Sequence, residues 1–315
     1  MTANEPPRCE AVLLAGFGGP STPAEVRPFL DSVLAGRPVP RRRYEAVVRH
    51  YEAIGGCSPF NETTLRQGAL LREALGRRGL ARTAVEVGMR HSRPSIDEAV
   101  AKLAQRGVQN VAVFVLAAFR CEASWERYRQ AIEAARAQVG ARAPQMHFPA
   151  PWHLHRLFLA AQAGQARKAF ARLPQSSQAE AALVFSAHSI PLSMARRSHY
   201  VEELRAAAQA VAALVGRFDW QLGFQSRSET GEPWLTPDVG DLLAALGRPA
   251  AVLLPIGFLC DHVETLYDLD VELASRAREL GIQLERAPAL NDHPLLIETI
   301  AEVVEPYLRA SPDGR

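Results

Sequence analysis

Three acidic residues recur at every fourth position late in the chain: Glu264, Asp268 and Glu272. In a helix this spacing stacks the three carboxylates along one face, where like charges repel by about 0.3 kcal/mol per pair. A row of hard oxygen donors that holds or passes a metal cation is one reason for a chain to keep such a pattern. A solvated acidic face is the alternative interpretation. The helix dipole would account for Glu264 but not for Glu272.

The elements predicted around this row favour a ligand site. Residues 250–257 form an apolar, β-branched run directly upstream, and ligands of parallel α/β sheets lie at the carboxyl ends of strands. His188 closes another predicted strand, so His188 and Glu264 form a candidate acid/base or metal pair. A lone histidine there is more often structural. A Ser-His-acid triad through Ser186 or Ser189 is a rival, but the chain has no Gly-x-Ser-x-Gly elbow.

Short apolar runs alternate with amphipathic helical patterns along the whole chain. The predicted strands cover residues 11–16, 84–88, 111–116, 146–148, 182–186, 221–224, 251–255 and 283–286. The clearest predicted helices cover residues 63–75, 96–105, 123–137, 154–171, 201–215, 239–246, 264–280 and 294–308. This alternation predicts an α/β protein with two doubly wound lobes, each built on a parallel sheet of about four strands.

Composition and charge exclude several classes of protein. The chain has 315 residues, of which 48% are hydrophobic, and a net charge of +2, which implies no strong attraction to nucleic acid. No apolar run is long enough for a transmembrane segment, and the N-terminus has no signal-peptide pattern. The four cysteines are far apart and suit a reducing, cytoplasmic location.

Two loops could contact a ligand. A Gly-x-Gly-Gly-Pro sequence at residues 16–20 allows close backbone approach, but it is not a dinucleotide fingerprint, and a tight turn explains it equally well. Residues 36–44 are predicted as a loop, which is normally solvated but could bind carboxylates at the mouth of a cleft. Its arginines are Arg37, Arg41, Arg42 and Arg43.

Six motifs together resemble the ferrochelatase family over almost the whole chain. They are LLAGFGGP (13–20), YEAIGGCSP (51–59), GMRHSRP (88–94), FSAHSIP (185–191), GFQSRSETGEPWLTP (223–237) and PIGFLCDHVETLYDLDVE (255–272). The resemblance implies the class II chelatase fold, with two Rossmann-like lobes and parallel four-stranded sheets. We expect an N-terminal lobe at residues 1–165 and a C-terminal lobe at residues 166–315, whose last helix packs back on the first lobe.

The same resemblance implies the chemistry, which is insertion of Fe²⁺ into a porphyrin in heme biosynthesis. His188 and Glu264 become the catalytic pair and metal ligands, with neutral His188 accepting the porphyrin N–H protons. Asp268 and Glu272 extend the metal site as an iron-delivery path or outer site. Seven residues fall on or near porphyrin-lining positions of the family: Phe17, Tyr51, Ser58, Arg90, His91, Ser124 and Tyr128. Trp234 and residues 225–227 are motif positions to which we assign structural roles.

Because the chain departs from the family pattern at several positions, the sequence does not decide whether the porphyrin substrate is coproporphyrin III or protoporphyrin IX. The segment between Phe29 and Tyr51 is short, as in members that use coproporphyrin III, whereas Phe17 replaces their tyrosine and residues 33–35 replace an arginine stretch. Arg37, Arg41, Arg42 and Arg43 could supply the positive charge that the family's arginine stretch provides.

The alternatives are a cobalt or nickel chelatase for another tetrapyrrole, or a non-catalytic heme or porphyrin carrier. Fe²⁺ and porphyrin are expected as substrates, with no tightly bound cofactor. No iron–sulfur cluster is expected, because the family's C-terminal cysteine group is not found before Arg315. The expected state is a cytoplasmic monomer, and transient contact with other heme-pathway enzymes is left open.

Overall fold

The structure, a computed structural model, describes residues 8–36, 38–228 and 231–309. Within these residues, eight strands form two four-stranded sheets, both entirely parallel. The first sheet has the order β2-β1-β3-β4, from β1 (Ala11–Gly16), β2 (Ala84–Met89), β3 (Asn110–Val115) and β4 (Gln145–His147). The second has the order β6-β5-β7-β8, from β5 (Ala182–His188), β6 (Trp220–Gln225), β7 (Ala250–Leu254) and β8 (Gln283–Arg286). The two sheets therefore share one topology, and the predicted α/β fold is confirmed.

Helices cover both faces of each sheet. They are α1 (Val26–Leu34), α2 (Arg41–Ala53), α3 (Phe60–Arg77), α4 (Ile96–Gln105), α5 (Arg127–Val139), α6 (Arg156–Arg172), α7 (Gln175–Gln178), α8 (Leu192–Arg196), α9 (Tyr200–Val215), α10 (Val239–Ala245), α11 (Val263–Leu266), α12 (Ala274–Glu279) and α13 (Pro294–Arg309). Short 3₁₀ turns occur at Pro23–Glu25 and Gly140–Arg142, and π-helical segments at Glu122–Glu126 and Asp268–Leu273.

The core follows the alternation of side chains along buried strands. In β1, Val12 and Leu14 belong to one apolar cluster, whereas Leu13 belongs to another on the opposite face. The first of these clusters also contains Phe185 of β5, so one core extends across both sheets. Fully buried parallel strands need apolar residues on both faces, which is why they appear in the sequence as continuous apolar runs.

Helices α6 and α13 connect the two halves of the molecule. Helix α6 packs against α9 and β7, and the expected boundary at 165/166 falls within it. Helix α13 packs against α6, α3 and β3. The backbone N–H of Cys9 donates to the carbonyl of Tyr307 in α13 at 2.7 Å. The division into two lobes at residue 165 stays a prediction.

The expected loop at residues 36–44 is partly wrong. Helix α2 begins at Arg41, so Arg41, Arg42 and Arg43 form its exposed first turn, while Arg37 lies outside the described residues. Pro40 at the N-cap position starts this helix, since its fixed φ is compatible with a helix start. The sequence pattern was not read as helical because charged residues occupy most of the first turns.

The helix expected at residues 264–280 is present over most of that range but is not one regular α-helix. Its first turn, α11, is followed by the π-helical segment Asp268–Leu273 and then by α12. π-Helical segments of this kind occur frequently at functional sites. Periodicity over a short window does not separate a 3.6-residue repeat from a slightly wider one, so the interruption was not visible in the sequence.

Candidate active site

His188 and Glu264 are brought together at the carboxyl edge of the second sheet. His188 is the last residue of β5, and Glu264 lies in α11, which follows the adjacent strand β7. His188 Nε2 is 3.4 Å from Glu264 Oε1, and about a third of each side chain is exposed, 33% and 34%. His188 Nδ1 hydrogen-bonds the carbonyl oxygen of Ser189, which makes Nδ1 the donor. Nε2 is therefore the nitrogen that faces the carboxylate.

The pair is charged in the structure described here. Desolvation lowers the pKa of His188, but the charge of Glu264 and the hydrogen bond to it outweigh that effect and raise the pKa to about 9. For Glu264, desolvation raises the pKa and the charge of His188 lowers it, with a net result of about 2. A neutral His188 was expected at physiological pH, and the adjacent carboxylate opposes that expectation, because its charge favours the protonated imidazole.

Asp268 lies one turn beyond Glu264 and has a different environment. Ser226, which follows the end of β6, donates a hydrogen bond from its hydroxyl to Asp268 Oδ2. His50 of α2 lies 4.0 Å away from Oδ1. Burial raises the pKa of Asp268 to about 7, opposed by the Ser226 hydrogen bond and supported by the charges of Glu264 and Glu272. Asp268 is thus a carboxyl group that exchanges protons near neutral pH.

Glu272 is the exposed end of the acidic row. The Asp268 side chain is 18% exposed, whereas Glu272 lies at the surface. Burial raises the pKa of Glu272, and the positive charge of Arg43 in α2 opposes that rise. Among residues 8–36, 38–228 and 231–309, no group of three or more histidine, cysteine or acidic side chains is close enough to hold a metal ion. The preassembled donors are therefore the His188–Glu264 pair.

The first sheet contributes aromatic and basic side chains at its own carboxyl edge. Phe17 follows β1, and Arg90 and His91 follow β2. The His91 ring lies 4.8 Å from the Phe17 ring, and the Arg90 guanidinium lies 5.6 Å from Phe17 and 5.3 Å from Tyr128. Cation–π contacts of this kind hold Arg90 against the edge of the sheet. Ser32 of α1 hydrogen-bonds His91 Nδ1 at 3.0 Å.

Tyr51 links this edge to the acidic segment. It is 4% exposed and packs with Phe29 in a small apolar cluster that also contacts Phe17 and Val263. Burial raises the pKa of Tyr51, and the nearby carboxylates of Glu264 and Asp268 raise it further. Val263 begins α11, so residues predicted to line the porphyrin and residues predicted to bind metal share one environment.

Three other predicted porphyrin-lining residues mainly support the backbone. Ser124 Oγ accepts from the N–H of Cys121 at 3.0 Å and lies 3.0 Å from the carbonyl of Phe119, so it starts the π-helical turn before α5. Ser58 is 6% exposed and packs beneath Gly19. Tyr128 is 4% exposed and belongs to the core of the first lobe. Their contact with a porphyrin stays a prediction.

Three side chains near the site were missed or assigned only structural roles. Ser226 has φ of 59°, a left-handed conformation that directs its hydroxyl toward Asp268. His50 stacks on Tyr267 with ring centroids 3.9 Å apart. Gln225 donates from Nε2 to the backbone carbonyl of Glu264 at 2.5 Å. The motif at residues 225–227 drew attention to Gln225 and Ser226, but nothing in the sequence indicated His50, since contacts between distant segments leave no local pattern.

A cavity elsewhere in the molecule is distinct from this site. It has a volume of about 600 Å³, is open to solvent and is lined by residues of α3, α6 and the segment before α13, including Arg66, Gln165 and His293. None of the predicted site residues lines it. A functional site is recognised by its reactive groups as well as by volume, so the His188–Glu264 pair stays the candidate site.

Comparison with known proteins identifies the family. The sequence model of the ferrochelatase family matches residues 9–308. This chain belongs to the ferrochelatase family. Coproporphyrin III ferrochelatase of Mycolicibacterium smegmatis is 37% identical over 97% of this chain and 92% of its own length. The corresponding protein of Frankia alni is 39% identical over 97% and 82%, and the ferrochelatase of Rhodopirellula baltica 37% over 97% and 88%.

The family prediction is thereby confirmed, and with it an iron-inserting enzyme of heme biosynthesis. Solved structures support the fold. SirB from Bacillus subtilis, solved with Fe³⁺, has a TM-score of 0.58 at 11% identity over 95% of both chains. The sirohydrochlorin chelatase SirB of Bacillus subtilis subspecies spizizenii, solved with cobalt, has a TM-score of 0.57 at 11% identity over 97% of both chains. No helix within the described part of the chain is both long and apolar enough to cross a membrane.

Proposed function

We propose that this ferrochelatase inserts Fe²⁺ into coproporphyrin III, with His188 and Glu264 as the groups that receive the metal and the pyrrole protons. The observation that carries this proposal is the 3.4 Å contact between His188 Nε2 and Glu264 Oε1 at the carboxyl edge of the second sheet. Imidazole nitrogen and carboxylate oxygen are both suitable ligands for Fe²⁺.

The ion pair gives an order to the proton transfers. In the metal-free site the imidazole carries a proton because Glu264 is negative. An Fe²⁺ that binds to Glu264 neutralises that charge, so the pKa of His188 falls and its Nε2 proton leaves to solvent. His188 then accepts one of the two pyrrole protons that must leave as iron enters. Glu264 receives the other, and Asp268, with a pKa of about 7, is suited to pass it on to solvent.

The acidic row would supply iron from the outside inward. Aquated Fe²⁺ meets the exposed Glu272 first, and each later carboxylate replaces a water ligand. The partial protonation of Asp268 near neutral pH keeps the row from carrying its full negative charge when it is empty.

Two features support coproporphyrin III as the porphyrin. Relatives that cover 97% of this chain bear that name. Coproporphyrin also has four propionates that require basic partners, and Arg41, Arg42 and Arg43 form the exposed first turn of α2 beside the site. Phe17 and His91 offer a ring surface on which a flat tetrapyrrole could stack.

Anaerobic mixing of Fe²⁺, porphyrin and protein tests the proposal through the absorption change on metallation. We expect His188→Ala to lower the rate at least ~100-fold while porphyrin binding persists. His199→Ala is the matched control, because His199 is 66% exposed and pairs with Glu202 away from the site. Metallation by His188→Ala at the rate of the unmodified protein would contradict the assignment.

The porphyrin is tested by comparing kcat/KM for coproporphyrin III and protoporphyrin IX under the same conditions. We expect coproporphyrin III to be preferred by at least about tenfold, the effect of one or two charge-assisted contacts. Replacing Arg41, Arg42 and Arg43 together by Gln should reduce that preference. A preference for protoporphyrin IX would reject this part of the proposal.

A further inference from the structure

Two carboxylates of the acidic segment lie outside the row, and both are bound by one arginine. Asp261 precedes α11, Asp270 lies within the π-helical segment, and Arg286 ends β8. We propose that Arg286 is a positioning residue that holds the acidic row toward the site. This inference rests on the proposed role of the row in iron delivery and adds a residue that the motifs did not indicate.

The contacts of Arg286 span both ends of the segment. Its Nη1 donates to Asp261 Oδ1 at 2.6 Å. Its Nε donates to Asp270 Oδ1 at 2.7 Å, and its Nη2 donates to Asp270 Oδ2. The guanidinium is 13% exposed, Asp261 12% and Asp270 37%. One planar group therefore bridges two acids that are separated by α11 and the start of the π-helical segment.

This bridge determines which way the row faces. Residues two apart on a helix lie on roughly opposite sides, so binding Asp270 against β8 turns Asp268 away from β8. Asp268 on the other side meets Ser226 and His50. Without the bridge, the π-helical segment would be free to rotate or to relax to regular α-helix, and the carboxylates would lose their register with His188.

The other end of the bridge is fixed by a second set of contacts. Asn291 Nδ2 donates to Asp261 Oδ2 at 2.8 Å, and the Asp261 N–H donates to Asn291 Oδ1 at 2.8 Å. The fully buried Gln67 of α3 donates to the Asn291 carbonyl at 2.6 Å. Asp261 is therefore held by both halves of the molecule, and Arg286 transmits that fixed position to Asp270.

Lysine cannot replace this arginine in the bridge. A guanidinium makes a bidentate contact with Asp270 and still reaches Asp261, whereas an ammonium is a single point charge. Arg286→Lys keeps the charge that compensates the buried Asp261, so it isolates geometry from electrostatics. Asp270→Asn removes the bidentate contact at a partly exposed site and is the variant least expected to prevent folding.

The first measurement is amide hydrogen exchange of peptides within residues 261–279, in the absence of iron. Asp270→Asn and Arg286→Lys should each accelerate exchange in this segment selectively. The second is steady-state metallation, where both variants should raise the KM for Fe²⁺ roughly tenfold and leave the KM for porphyrin unchanged. The double variant should resemble the single ones, because both break the same contact.

Two controls separate positioning from a general loss of stability. Leu284→Ala shortens a half-buried side chain in the same strand, and Arg248→Lys alters an exposed pair with Asp219 in the same lobe. Neither should raise the KM for Fe²⁺. The inference is overturned if exchange in residues 261–279 is unchanged, or if Leu284→Ala raises the KM for Fe²⁺ equally.

Different results would reject the proposed function and the positioning role of Arg286. If replacing Asp268 and Glu272 leaves the iron dependence unchanged, the delivery role is rejected whatever Arg286 does. If those replacements raise the KM for Fe²⁺ and the Arg286 and Asp270 variants do not, only the positioning inference is rejected.

Discussion

At the scale of single residues, the pKa values of His188 and Asp268 are both raised, but for different physical reasons. The neighbour of His188 is an opposite charge, which keeps the imidazole protonated up to about pH 9. Asp268 is buried near like charges, which keeps its carboxyl group protonated up to about pH 7. Both environments therefore favour the protonated form of the group, and the positive charge of an approaching Fe²⁺ would oppose both preferences.

Asp268 should make the protein less stable as the pH rises. Its pKa is 3.8 in the unfolded chain and about 7 in the folded protein, so its stabilising contribution is complete below pH 3.8 and is lost by about pH 7. Asp268→Asn removes this loss and still offers an oxygen to Ser226. We expect the free energy of unfolding of the variant to exceed that of the unmodified protein by on the order of 1 kcal/mol at pH 8, and to equal it at pH 3.5.

Urea unfolding at both pH values measures this difference. Asp219→Asn, which changes an exposed carboxylate, should stay within about 0.5 kcal/mol of the unmodified protein at each pH. A variant at position 268 that is less stable at pH 8 would show that the folded protein favours the ionised form of Asp268.

At the scale of elements, the segment after β7 combines a short α-helix, a π-helical segment and another α-helix. The acidic side chains of this segment face two different sides. Glu264 and Asp268 face His188 and Ser226, whereas Asp261 and Asp270 face Arg286. The repulsion expected among the carboxylates of this segment is reduced because Glu264 and Asp268 contact His188 and Ser226, whereas the two acids outside the row contact Arg286.

Replacing Asp268 by Asn and Glu272 by Gln together should raise the KM for Fe²⁺ more than it lowers kcat. The two groups are proposed to strip and pass the cation but not to meet the porphyrin nitrogens, and loss of such ligands costs roughly 10–100-fold in metal affinity. Initial metallation rates over a range of Fe²⁺ concentrations separate the two parameters. Glu279→Gln, an exposed change at the end of α12, should leave both unchanged.

At the scale of the whole molecule, ion pairs between elements distant in sequence hold the two sheets together. Arg120, in the segment after β3, donates to Glu203 of α9 from its backbone N–H at 2.8 Å and from its Nε at 2.6 Å. Glu203 is 4% exposed. The contact joins the carboxyl edge of the first sheet to a helix of the second half.

Arg120→Ala should lower the free energy of unfolding by about 3 kcal/mol, because it leaves the buried Glu203 carboxylate without its counter-charge. Arg248→Ala removes an exposed pair, so its effect should stay below about 1 kcal/mol. Denaturant unfolding of the three proteins gives both values. An equal effect of the two changes would mean that Glu203 is satisfied by other groups, such as the neighbouring His153.

The sequence by itself determined which segments become buried parallel strands, because such strands need continuous apolar runs of limited length. It also marked His188 and Glu264, since the ends of those strands converge at one edge of a sheet. The helices α1 and α2 were missed because Pro28 lies within α1 and Pro40 directly precedes α2, and proline in a sequence normally indicates a break in a helix.

Only the tertiary structure decided the properties that depend on partners far along the chain. The proton on His188 depends on a carboxylate 3.4 Å away, and the direction of Asp268 depends on Ser226 and, as we propose, on Arg286. Local spacing carries no record of these contacts, because electrostatic and hydrogen-bond energies depend on distances between atoms and not on separation in sequence.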